Sequence, residues 1–196
     1  MVFFSGNEIV DIVLMTIVIG IIFMDFFKKR IMSANPFDQF SHNRFFNKQG
    51  FLNAIYIVAP AIILHEFGHK FVALAFGLSA NFHAAYLWLI IGLFLKFAGA
   101  GFIFFVPAYI SIAGNATALQ YSAVAFAGPL VNLLMFLGIL IFFKYAKHKK
   151  MLIKKNTMLM LLFAKKINLF LFIFNMLPIP MFDGFSVFRG LIQAFF

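Results

Sequence analysis

The sequence predicts an all-α polytopic membrane protein, with about four transmembrane helices plus a re-entrant or interfacial segment carrying some β-structure. Three observations predict it. Of 196 residues, 64% are hydrophobic and only 11% charged, where a soluble domain carries roughly 25% charged residues. The apolar residues gather into stretches of spanning length, parted by polar or basic segments. One apolar region between such stretches is broken by glycine and proline, which punctuate regular structure. The length suits a single membrane-embedded domain, 1–196, and no internal repeat or linker divides it.

The elements follow in chain order. The first helix is expected at approximately 9–27, from Ile9 to Phe27, closed by Lys28-Lys29-Arg30. It is too long for a signal-peptide core and lacks a small-residue cleavage site, so it reads as a retained transmembrane helix. Residues 31–50 are polar, with Asn35-Pro36 as a turn signal. The second helix, 51–76, runs from Phe51 to Phe76 and carries charged residues in its middle. Residues 80–117 are apolar but contain Gly92, Gly99, Gly101 and Pro107, and the runs Phe102–Val106 and Tyr109–Ile112 are rich in β-formers. Irregular backbone at membrane depth survives only against protein or a wet cavity. Hence the re-entrant reading, with a Gly-kinked fifth spanning helix as its alternative. The third helix, 118–143, from Ala118 to Phe143, holds no charge. After the basic loop Lys144–Lys155, the apolar stretch Thr157–Leu177 is interrupted by Lys165-Lys166. The fourth helix is therefore expected to start near Lys165 and to span 165–177.

The net charge of +10 resembles a nucleic-acid signal but has another explanation. The basic residues lie between apolar stretches, where they meet lipid headgroups, and no basic face is interleaved with exposed aromatics. Nucleic-acid binding is excluded on that ground, and the bilayer is the expected partner. With no cysteine, disulfides and thiolate ligands are ruled out, so any metal must be held by His, Asp or Glu.

His65-Glu66-Phe67-Gly68-His69 matches H-E-x-x-H. On a helix, positions i and i+4 share a face, so both imidazoles can reach one ion, and the intervening Glu can act as general base on a zinc-activated water. A Glu at the centre of a membrane helix costs roughly 2.5–3.5 kcal/mol, so it is functional by default. A third ligand is required. Since the only other Glu is Glu8, before the first helix, a downstream Glu is impossible. The metzincin extension fails at Val72 and Ala75. Asp11, Asp25, Asp38, Asp183, His42, His83 and His148 are the candidates. Asp183 stands out, because it follows Pro178 and Pro180, which unwind the chain and let a short carboxylate turn toward an ion. A plain Asp-Gly turn explains it equally well. Gly128 and Pro129 read as a kink with close helix packing, and Asn132 as a hydrogen-bonding residue inside the bundle. His83, Trp88 and Lys96 read as structural or interfacial.

The order of three motifs is more specific than any one of them: His65 to His69, then Gly128-Pro129-Leu130-Val131-Asn132, then Asn175 to Gly184 as N-x-L-P-x-P-x-x-D-G. This order resembles the site-2 protease family of intramembrane zinc metalloproteases, and especially its short archaeal-type members. The stretches Phe4-Ser5 to Asp11, Phe102 to Ile112 and Val187-Phe188-Arg189 resemble them too. The resemblance implies one Zn2+ ion bound by His65, His69 and Asp183. It makes Glu66 the catalytic base and puts Asn175 beside the site, facing substrate or oxyanion. It also implies strand edges around 80–112, with Phe104, Val106 and Ile110 holding an unwound transmembrane protein substrate. Gly128, Pro129, Asn132, Pro178 and Pro180 would shape the surroundings, in a multi-pass protein of the cell membrane. The chain departs from larger members in having no PDZ-like domain in the 144–165 loop.

Three rival functions have less support. A prenyl-protein-type protease would need a second downstream Glu. A non-catalytic pseudoprotease of the same fold would not need Glu66, and a metal transporter would need several intramembrane sites. Orientation draws two opposite expectations. The loops 28–50 and 144–166 hold most of the Lys and Arg residues, which puts them in the cytoplasm by the positive-inside rule, whereas the family resemblance puts them outside.

Overall fold

The computed structural model describes residues 4–31, 46–99 and 106–196, with side chains beyond Phe27 in the first helix left aside. The element order is α1 (Gly6–Ile31), α2 (Lys48–Ala75), β1 (Ser79–Ala84), α3 (Tyr86–Phe97), β2 (Ala108–Ala113), α4 (Ala118–His148), α5 (Lys155–Asn175) and α6 (Asp183–Phe195). Four of these are long and apolar enough to cross a membrane: Gly6–Phe27 of α1, then α2, α4 and α5. The chain is an all-α polytopic membrane protein with a small sheet.

Local chemistry sets the helix ends. Ser5 and Glu8 bond each other's backbone N–H at the start of α1. The Asn47 side chain accepts from Gly50 N at 2.8 Å, and Thr117 with Gln120 forms a reciprocal capping box for α4. α2 stops in a Schellman turn: Gly77 takes φ 77°, its N–H reaches Leu74 O and Leu78 N reaches Ala73 O.

α1 and α2 pack closely because glycines face the partner helix. A Cβ on Gly50 would lie 2.2 Å from Met24 O, and one on Gly20 would lie 2.6 Å from the Phe51 ring. Their seam joins the main core of Met15, Ile19, Phe27, Ala54, Ile57 and Phe82. α4 packs on the other side of α2, where a Cβ on Gly68 would meet Ala127 O at 2.7 Å. The strands form one antiparallel pair with Ser79 opposite Ala113 and Ala84 opposite Ala108.

The structure corrects the expected elements at several points. The fourth long helix starts at Lys155 rather than near Lys165, so Lys165-Lys166 lie inside it. α1 and α4 run past Phe27 and Phe143, to Ile31 and His148. The 80–117 stretch does carry β-structure, as expected, and not a fifth spanning helix: its described residues form two strands on either side of a 12-residue helix, α3, whose Leu87, Ile90, Phe94 and Phe97 are exposed. Phe102–Phe105, Asn35-Pro36, Asp38 and His42 lie outside the described residues. α6 was not anticipated.

Candidate metal centre

Two elements deliver one cluster. His65 and His69 project from one face of α2, and Asp183 opens α6. Nε2 of His65 lies 3.1 Å from Nε2 of His69. Asp183 Oδ2 lies 3.1 Å from the former and 3.4 Å from the latter. Among the described residues this is the group of His and carboxylate side chains able to share an ion.

Hydrogen bonds behind the rings decide which atoms carry protons. Ala164 O and Ala61 O can only accept, so the amide nitrogens of Asn168 and Asn132 face them, at 2.8 and 2.9 Å. Asn132 Nδ2 also donates to Asn168 Oδ1 at 3.0 Å. That leaves Asn132 Oδ1 toward His65 Nδ1 at 2.7 Å, so this nitrogen must donate. His69 Nδ1 likewise donates to Val124 O at 2.7 Å. With both Nδ1 atoms protonated, a neutral imidazole keeps its lone pair at Nε2. Two lone pairs and a carboxylate oxygen then face one another across a triangle of 3.1, 3.1 and 3.4 Å, which calls for a cation. Zinc bonds of about 2.0–2.1 Å in tetrahedral geometry set donors about 3.3 Å apart. The donors present fit that ion.

Asp183 becomes an anion when positive charge faces it. Burial pushes its carboxyl up, but imidazoles that carry a proton on Nε2 outweigh that and hold it below the ordinary carboxylate range, and a cation in their place acts in the same direction. The turn after Asn175 contains Pro178, Pro180 and a left-handed Met181 (φ 85°). It returns the chain so tightly that a Cβ on Gly184 would lie 2.4 Å from Met176 O. Gly128 supplies the opposite wall, where a Cβ would lie 2.3 Å from His69 Nε2 and 2.8 Å from His65 Nε2. Pro129, buried inside α4, lacks an N–H and crowds the preceding turn.

A cavity of about 550 Å³ opens on this cluster. Glu66 and Asn175 line it, with Val106 to Ile110 and Ile112 on the hairpin side and Ser186, Arg189 and Gln193 from α6. Sequence reasoning missed Asn168 and the α6 lining. Of the alternative ligands, Asp11 on α1 lies 3.9 Å from His83 Nδ1 on β1, and His83 Nε2 meets Ser111 Oγ at 2.9 Å. Asp25 pairs with Lys96 at 3.1 Å, and His148 lies at the far end of α4. Phe104 lies outside the described residues.

The hairpin presents different edges to its two sides. Phe82 N and Ala84 N point at α1, where they donate to Glu8 and Asp11. Their partners across the pair, Ile110 and Ala108, therefore occupy non-hydrogen-bonded positions and turn N–H and C=O away from β1. That outer edge of β2 faces the cavity, and among the described residues no third strand covers it.

The sequence model of peptidase family M50 matches residues 144–196, a stretch containing Asn175 and Asp183. Among curated proteins the chain is similar to one from Methanocaldococcus jannaschii named "Putative zinc metalloprotease MJ0611". The two are 38% identical over 144 residues, covering 71% of this chain and 70% of the relative. No solved structure matches the chain.

Proposed function

From the premise that the chain belongs to peptidase family M50, the site-2 proteases, and is a multi-pass membrane metalloendopeptidase, we propose that it cleaves transmembrane protein substrates at a single zinc ion held by His65, His69 and Asp183. The observation that carries this reading is the triangle of His65 Nε2, His69 Nε2 and Asp183 Oδ2 with the Glu66 carboxylate lining the same cavity. When bound, the ion supplies Lewis acidity to a water and to the scissile carbonyl. Glu66 takes the proton from that water and returns it to the leaving amine. Asn175 offers its amide N–H to the oxygen on which charge develops. A helical substrate must first unwind, because its carbonyls are tied in its own hydrogen bonds. Adding to the outer edge of β2 as a third strand, along Val106 to Ile112, offsets part of that cost with main-chain bonds. We place the protein in the cell membrane.

The test is zinc content together with cleavage of a single-pass substrate by purified protein. Glu66→Gln should keep zinc and lose at least about 10²-fold in rate. Asp183→Ala should lose zinc as well as activity, because two histidines hold the ion weakly. Near-parental cleavage by Glu66→Gln would overturn Glu66 as the base, whereas absent cleavage by the parental protein would point to the alternative, a membrane-binding pseudoprotease of the same fold.

A further inference from the structure

Glu8 and Asp11 are buried carboxylates, 3% and 8% exposed, that the chemistry above does not use. They stand one turn apart on α1 and accept two outward amides of β1, Phe82 N at 2.7 Å and Ala84 N at 3.1 Å. Glu8 also pairs with the Lys70 ammonium, and Asp11 accepts the Tyr86 hydroxyl at the start of α3. Lys70 is only 1% exposed, directly follows the candidate ligand His69, and is covered by the Phe4 ring at 4.7 Å. A buried ion pair gives no stability advantage over apolar residues of the same volume. Its geometry is therefore the informative part: one carboxylate ties the strand pair to the helix that carries His65 and His69.

We propose that Glu8 and Asp11 are positioning residues that close the outer edge of β1 to strand addition. Through Lys70, Glu8 also fixes the height of β2's open edge against the candidate metal centre, and so the register in which a substrate strand binds. The proposal rests on the strand-addition reading above. The stakes are set by strand geometry, since a slip of one residue moves a strand by about 3.3 Å and turns every side chain to the other face.

The chain has no cysteine, so crosslinking can test this without cleavage, in a Glu66→Gln background. Asn81 and Ser111 are exposed and face each other across the pair. Asn81→Cys reports a strand beside β1, and Ser111→Cys a strand beside β2. The probe is a single-pass substrate peptide with one cysteine scanned along it. With α1 intact, Ser111→Cys should crosslink at least about tenfold more than Asn81→Cys, and at one substrate position, as expected where only one edge can add a strand. Glu8→Gln with Lys70→Met keeps an acceptor for Phe82 N but cuts the tie to α2. It should hold the edge preference while the crosslink spreads to positions two residues either side. Glu8→Leu with Asp11→Leu and Lys70→Met should lose the edge preference too. A single crosslink position in the Gln/Met variant would overturn the height lock, and that variant keeps the test alive if the triple variant fails to fold. Equal crosslinking at both cysteines with α1 intact would overturn edge closure. Failure of the protease reading shows separately, as absent cleavage by the Glu66 chain alongside an intact crosslink preference.

Discussion

Asn168 lies completely buried in α5 and touches no candidate ligand, yet its amide oxygen, together with Ala61 O, fixes the rotamer of Asn132 and through it the proton on His65 Nδ1. Asn168→Leu removes the acceptor for one Asn132 N–H and lets that amide turn over, which would present NH2 instead of oxygen to the ring. Partners of this kind typically contribute 10–100-fold to metal affinity, so zinc affinity should fall by about tenfold or more in a competition titration, with the helices intact by circular dichroism. An unchanged affinity would mean that the Asn132 carbonyl is held without Asn168. His65, Glu66 and His69 were legible in the sequence because their spacing is itself the chemistry. Asn168 was not, because a lone amide in an apolar helix reveals nothing until its partner, 36 residues away, is placed beside it. Asp183 was half legible: the prolines announced a break, but only folding shows which way the carboxylate turns.

Among the elements, the long apolar helices could be read from composition, and the errors came where charge was taken as a boundary. Lys165-Lys166 do not end α5, since long basic side chains reach away along a helix surface and leave the backbone ladder unbroken. α3 was hidden because its 12 residues are too few to span and too apolar to look like a surface helix. Packing between elements also decides what glycine does. At Gly128 alanine is the better helix former by about 1 kcal/mol, but its Cβ would lie 2.3 Å from His69 Nε2. Gly128→Ala should therefore reduce zinc content without loss of helix, by metal analysis at equal folded yield; full occupancy would show that α4 can back away. For the hairpin, Ile110→Pro removes an N–H on the cavity edge, whereas Tyr109→Pro removes one that bonds to β1. The expected outcome is a KM raised about tenfold or more by Ile110→Pro with zinc retained, and general destabilisation by Tyr109→Pro. Equal behaviour of the two would mean that the register is not the one described.

At the scale of the whole molecule, the cluster is off centre. His65 lies about 25 Å along α2 from Lys48 and about 15 Å from Ala75, at 1.5 Å per residue. It is thus nearer the face that holds the start of α1, the hairpin and α6, which is the shorter path for water. Four crossings put Ser79 and Asn156 on opposite faces, so single cysteines at these positions should label from opposite sides of sealed vesicles. Labelling of both from one side would exclude the topology. Which face is cytoplasmic follows from the same labels, and it decides between the charge rule and the family resemblance. The clasp on α1 also bears on how the chain is made. Glu8 precedes Lys70 by 62 residues and Phe82 by 74, and Asp11 precedes Tyr86 by 75. The first helix thus leaves the ribosome with two carboxylates whose distant partners have not yet been translated. Such groups resist burial in lipid, by up to about 3 kcal/mol each at a helix centre. α1 therefore cannot take its final seat on insertion, and its docking has to wait for the Lys70 end of the second helix and the strand that follows it.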